Sequence, residues 1–280
     1  MSEATLARKT AIVTGGGRGI GRAIALALAD AGAKVVVTSA LQADEAAAVA
    51  AEIEAKTGKG RARSLQADVT QAAACRQVVE HALATFGGLH IVVNNAARGH
   101  RSVYEANTGL PEEQRLKFWN VPTDIWRMMV NVNVNGPFLM AKAAAPHLIA
   151  QGWGRIINIL ATFNTMQKGG NAPYGVTKTA LESATQIWAR DLAGSGVTVN
   201  GILPGGATAT GMVYESPSAR AGRVLLDPAI MGPPAVWLAS AAADGITGRR
   251  LEAKSWDATL PPDVAAQRAF APPAIPPIDG

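Results

Sequence analysis

The chain has 280 residues, 48% hydrophobic and 17% charged, with a formal net charge of +5. That length accommodates one large α/β domain with a sizeable core. No apolar run reaches the roughly 20 residues needed to cross a bilayer. Lys and Arg are dispersed rather than clustered, which argues against a nucleic-acid surface.

The first element is the β-branched run AIVTG (11–15), which enters Thr14-Gly-Gly-Gly-Arg-Gly-Ile-Gly21. A helical stretch follows, GRAIALALADAG (21–32), with Gly32 as its stop. A second strand, KVVVTS (34–39), leads to the Ala-rich helix DEAAAVAAEIEAKTG (44–58), stopped by Gly58. A third strand ends before Asp68-Val69, and a fourth is LHIVVNN (89–95). Residues 98–122 mix aromatics with charges and are too long for an ordinary connection, which marks a functional or mobile loop. Thr123 is placed to N-cap a long helix over 124–150, with a kink at Pro137. Strands RIINIL (155–160) and VTVNGIL (197–203) flank a helix that carries Tyr174 and Lys178, and RRLEA (249–253) is a weaker strand. Between the last two, the stretch to Pro233 holds Met212, Val213, Tyr214, Leu225, Leu226, Ile230 and Met231, which suit either a substrate lid or subunit packing. From 258 to 280 the chain is rich in Pro and Ala without periodicity and reads as an extended arm.

Continuous apolar strands alternating with helices predict an α/β fold, a doubly wound parallel sheet covered on both faces. The domain spans 1–257, with 258–280 as the arm. The single Cys75 excludes an internal disulfide and fits a reducing cytoplasm, and the start carries no signal peptide. His81, His90, His100 and His147 lack metal-ligand spacing, so no metal is expected.

Gly15, Gly19 and Gly21 lie between a strand and a helix. There they allow a tight turn, close backbone approach to a pyrophosphate, and contact of helix with strand. The helix N-terminus then offers free N–H groups and a positive dipole end. Lys178, one turn after Tyr174, brings positive charge near a phenol whose ordinary pKa is about 10 and would lower it toward the working range.

TGGGRGIG, Asn94-Asn95-Ala96, Tyr174-x-x-x-Lys178 and Pro204-Gly205 occur in the order and spacing of the short-chain dehydrogenase/reductase family, which the chain resembles over about 8–255. The resemblance implies a Rossmann fold with a seven-stranded parallel sheet, NAD or NADP as cofactor, and a homotetramer or homodimer. It implies a small carbonyl or alcohol substrate and Tyr174 as acid-base. Lys178 is implied on the nicotinamide ribose, and Asn133 as the asparagine that organises a water chain to that lysine. Gly15, Arg18, Gly19, Ile20 and Gly21 would hold the phosphates, Asp68 and Val69 the adenine. Asn95 and Ala96 would lie along the cofactor, and Pro204, Gly205 and either Thr208 or Thr210 would meet the carboxamide. The second strand ends Thr38-Ser39-Ala40 with no acid, so Arg18, Thr38 and Ser39 favour NADP(H) over NAD(H).

One departure stands out. The family's serine, thirteen residues before the tyrosine, is Ala161 here, and Thr162 follows. Thr162 is the expected stand-in if the strand end is bulged. Otherwise the site runs on Tyr174 alone, or the protein is a dinucleotide-binding sensor or scaffold. Reduction of an activated C=C or C=N bond is a further alternative.

Overall fold

In the computed structural model, which describes residues 5–212 and 224–275, the apolar runs form seven strands. These are β1 (Thr10–Val13), β2 (Lys34–Ser39), β3 (Ala62–Gln66), β4 (Ile91–Asn94), β5 (Gly154–Ile159), β6 (Val197–Leu203) and β7 (Arg250–Glu252). They pair in parallel in the order 3-2-1-4-5-6-7. Every residue of β1, β4, β5 and β6 is buried. That is why these runs show no alternation: both faces of the sheet are covered. Helices α1 (Gly19–Asp30) and α2 (Ala43–Thr57) pack with Val13, Val35, Val37 and Ile91 on one face. Helix α3 (Ala72–Phe86) packs with Ile12, Val36, Val92 and Ile156 on the other. Strand order reverses between β1 and β4, which opens a crevice beyond their carboxyl ends.

Four expectations are corrected. The sheet has eight strands, not seven: β8 (Phe270–Ala271) adds antiparallel to β7, pairing Arg250 with Ala271 and Leu251 with Phe270. The 98–122 segment is built rather than loose. It holds α4 (Arg101–Ala106) and two 3-10 turns, Glu112–Gln114 and Phe118–Asn120. The Asn107 amide pins it by donating to the carbonyls of Arg115 (2.7 Å) and Asn120 (2.9 Å).

The helix expected over 124–150 is broken into α5 (Thr123–Val130), a π-helical turn (Asn131–Asn135) and α6 (Gly136–Ala150). Thr123 is the first helical residue, not a side-chain cap. Pro137 is the second residue of α6, directly after the π-helical turn, and Pro146 lies inside the helix. Between β5 and β6 come α7 (Phe163–Gln167) and α8 (Tyr174–Asp191), and after β6 comes α9 (Gly232–Ala239).

Beyond 258 the chain is not an extended arm. It forms α10 (Pro262–Ala269), which buries Ala265, Ala266 and Ala269, and then β8. Asp263 accepts a hydrogen bond from the Trp237 indole of α9 at 2.6 Å, and Arg249 stacks over Phe270 at 4.5 Å. An alanine-only buried face leaves little hydropathy contrast, so the pattern does not show in the sequence. Truncation after Asp257 uncovers this face and the edge of β7. It should cost about 2–4 kcal/mol and lower the thermal midpoint by roughly 5–10 °C, read by differential scanning calorimetry.

Candidate active site

The turn between β1 and α1 is folded by its glycines. Gly15 and Gly19 take φ of +61° and +54°, which side chains other than glycine's resist. A Cβ on Gly21 would fall on the Asn95 amide nitrogen and the Gly15 carbonyl. Asn95 braces the turn by donating to the carbonyls of Thr14 (2.8 Å) and Gly15 (2.9 Å). The Thr14 hydroxyl accepts from the amides of Asn95 and Ala96, each at 3.1 Å. Arg18, at the N-cap of α1, makes no side-chain cap, so the first amides of the helix face the crevice without one.

The crevice is a cleft of about 940 Å³. Of the residues expected at a cofactor, Gly15, Arg18, Gly19, Ile20, Gly21, Ser39, Asp68, Val69, Asn95, Ala96, Pro204, Tyr174 and Lys178 line it. Three do not. Thr38 is buried within β2, and its carbonyl accepts from Gly16 N at 3.0 Å. Gly205, at φ +90°, is closed over by the side chains of Lys254 and Glu252. Thr208 is buried, and Thr210 takes the cleft position beside Gly19. Of the expected lid, Met212 lines the cleft and packs over Gly99. Val213 and Tyr214 lie outside the described residues.

Helix α8 buries Thr177, Lys178, Leu181, Glu182, Thr185 and Ala189, a mostly polar set. Each polar member has a partner. Lys178 Nζ donates to the Ile159 carbonyl at 2.6 Å, and Thr185 accepts from Asn158 Nδ2 at 2.9 Å. Thr177 accepts from Asn133 Nδ2 at 3.0 Å. Asn133 also exchanges two hydrogen bonds with the Arg98 backbone, at 2.7 and 2.9 Å, so it ties α8 to the segment after β4 and lies behind the cleft rather than in its wall.

The mutual effect of Tyr174 and Lys178 differs from expectation. Burial pushes the phenol up to about 12 and the ammonium down to about 8. The ammonium sits 5.7 Å from the centre of the Tyr174 ring, and desolvation outweighs its attraction. The His100 ring packs on Tyr174 at 5.1 Å and adds to that desolvation.

Ala161 is buried at the end of β5 and brings no hydroxyl. Thr162 does not reach the cleft. It N-caps α7, accepting from Thr165 N at 3.2 Å with its hydroxyl 2.9 Å from that of Thr165. The strand ends without the bulge that would have turned this side chain inward. Sequence reasoning missed Arg250 and Glu182, an ion pair buried behind Ala161. The one available signal was a doubled arginine in a short strand next to an acid.

A profile of the short chain dehydrogenase family matches residues 9–221. The 2,5-dichloro-2,5-cyclohexadiene-1,4-diol dehydrogenase LinX of Sphingobium indicum is 37% identical over 201 residues, which is 72% of this chain and 74% of that protein. A short chain dehydrogenase from Burkholderia cenocepacia, solved with NADP, superposes with a TM-score of 0.75 at 32% identity, covering 89% of this chain and 99% of that one. A 3-ketoacyl-(acyl-carrier-protein) reductase from Brucella melitensis, solved with NADH, gives 0.74 at 30%, covering 88% and 97%.

Replacing Thr162 by Ala removes the cap of α7. Stability should fall by about 1 kcal/mol in chemical denaturation, with oxidoreductase turnover unchanged. Turnover lost while the protein stays folded would instead put this hydroxyl in the chemistry.

Proposed function

The chain belongs to the short-chain dehydrogenase family of oxidoreductases, and on that premise we propose that it interconverts a small carbonyl and an alcohol, with Tyr174 as acid-base. The observation that carries the reading is the convergence of Tyr174 and Lys178 on the same cleft as the glycine turn. A nicotinamide dinucleotide, when bound, supplies or takes the hydride. The glycine turn and the start of α1 line the cleft, which suits its diphosphate. The α1 amides with Gly15, Gly19, Ile20 and Gly21 would hold that group, Asp68 and Val69 would flank the adenine, and Pro204 and Thr210 the carboxamide end. Lys178 would exchange the Ile159 carbonyl for ribose hydroxyls.

A phenol pushed up to about 12 stays protonated throughout the neutral range. Tyr174 is therefore set to give its proton to a carbonyl oxygen, which favours reduction. Asn133 holds the Arg98 backbone and α8 together around this group. With Ala161 lacking a hydroxyl and Thr162 engaged as a cap, polarisation of the substrate oxygen falls to Tyr174 itself. The same observation favours the second reading, a dinucleotide-binding sensor of this fold, which would bind the cofactor without turnover.

The proposal includes NADP(H) in preference to NAD(H). No acid ends β2, and Ser39 lines the cleft there. Arg18 faces it too, paired with Glu45 at 3.4 Å. Both side chains of that pair are exposed, so it holds them weakly and leaves the guanidinium free to turn to a 2′-phosphate. A homodimer or homotetramer in the cytoplasm completes the reading. Exposed Phe138 and Ile149 on α6 with Val176 and Ile187 on α8 support an assembly face.

In reduction, kcat/KM should fall as pH rises through about 8, where Lys178 loses its charge. The reverse, alcohol oxidation, needs the phenolate and should speed up with pH until that point. Tyr174→Phe should lower turnover in both directions by about 10²-fold or more without loss of cofactor binding. Steady-state rates over pH 5–10 on a carbonyl panel check this, and a Tyr174→Phe variant as active as wild type overturns the reading.

A further inference from the structure

The polar stripe of α8 continues past the cleft. One turn beyond Lys178, the Glu182 side chain is 3% exposed, and that of Arg250 on β7 is 5% exposed. Arg250 donates from one terminal nitrogen to Glu182 Oε2 at 3.0 Å and from the other to the Ala161 carbonyl at 2.9 Å. The second carboxylate oxygen, Glu182 Oε1, accepts from Ala274 N at 3.2 Å. One turn further on, Gln186 donates to the Ile275 carbonyl at 3.0 Å. Four segments therefore meet at one guanidinium: the end of β5, helix α8, strand β7 and the stretch after β8.

None of these groups lines the cleft. The pair nonetheless sits next to the chemistry. Ala161 lies two residues after Ile159, whose carbonyl receives Lys178 Nζ. Desolvation of two buried ions consumes most of their attraction, so stability alone is a weak explanation for such a pair. Geometry is a better one. A planar guanidinium with two fixed acceptors sets the distance and angle between the strand end and the helix.

We propose that Arg250 is a positioning residue for the Tyr174–Lys178 pair. Clamped by Glu182, it holds the Ala161 carbonyl and so fixes the end of β5 on which Lys178 rests. The backbone after β8 closes the clamp through Ala274. The inference deepens the reductase reading, on which it rests for the role of Tyr174 and Lys178.

The single variants leave one buried charge unpaired and are expected to lose stability. The informative protein is the double variant Arg250→Met with Glu182→Leu, which keeps volume and removes both charges. Its thermal midpoint should stay close to wild type. Its kcat should drop about tenfold or more, with KM little changed, because a small misplacement of a proton donor is costly in rate.

A second readout does not depend on turnover. The pKa of Lys178, followed by 13C NMR of lysine-labelled protein and assigned with Lys178→Arg, should fall below about 8, because the still-buried ammonium loses its fixed acceptor at the Ile159 carbonyl. Removal of residues 272–280 takes away the Ala274 contact from Glu182 and the Ile275 contact from Gln186, leaves the Arg250–Glu182 pair in place, and should move kcat and this pKa the same way by a smaller factor. That truncation serves as the test if the double variant does not fold. A double variant, or failing it a truncation, with wild-type kcat and wild-type Lys178 pKa overturns the proposal. A Tyr174→Phe protein as active as wild type, or a wild type without turnover, counts against the reductase reading instead. The clamp is then decided by the Lys178 pKa alone.

Discussion

A lysine ammonium buried at the end of a parallel sheet sets the terms for the rest of the site. Lys178 is 3% exposed, and an unpaired charge at that depth is not tolerated. The structure answers with a short hydrogen bond to the Ile159 carbonyl and a helix face made mostly of partnered polar groups. Thr177 meets Asn133, Glu182 meets Arg250 and Thr185 meets Asn158. The chain of amides continues into the sheet, where Asn158 accepts from Asn94 at 2.9 Å. Helix α8 is therefore held by directional bonds more than by apolar packing. Directional bonds fix position more sharply than apolar contact, which suits a helix proposed to present Tyr174 to a substrate.

The same constraint shapes the chemistry. Burial keeps Tyr174 protonated and makes Lys178 easier to neutralise than a surface lysine. The two titrations are separated rather than merged, which gives the pair an acid that persists and a cation that can be switched off. With Ala161 in place of a hydroxyl-bearing residue, the proposed reaction leaves fewer groups to share the work at the substrate oxygen. The accuracy with which β5 and α8 are held then matters more, and Arg250 acts at that junction.

Much of the fold is legible in the sequence because both faces of the sheet are covered. Runs such as Ala11-Ile12-Val13 and Ile91-Val92-Val93 are apolar without alternation, and the glycine turn sits where a strand becomes a helix. The failures have physical causes. Residues 262–271 bury alanines, so their helix and edge strand leave no hydropathy pattern. The helix expected over 124–150 carries three asparagines at 131, 133 and 135, and there it widens into a π turn. Within the site, Gly15, Gly19, Gly21, Asp68, Val69, Asn95 and the Tyr174–Lys178 pair line one cleft, while Gly205 does not. Thr38 and Thr208 are buried away from it, because side-chain direction within a strand or turn is not readable from residue spacing. Arg250 and Glu182, 68 residues apart, are joined only by the fold.

The account as a whole claims that Lys178 is kept charged and buried in order to hold a nicotinamide dinucleotide, NADP(H) before NAD(H). Equilibrium binding of NADPH and NADH, read by tryptophan fluorescence quenching on wild type and Lys178→Met, tests this most directly. The account predicts that wild type binds both, NADPH more tightly, and that the substitution weakens each by about tenfold or more. Binding that is indifferent to Lys178, or no binding of either dinucleotide, would contradict it.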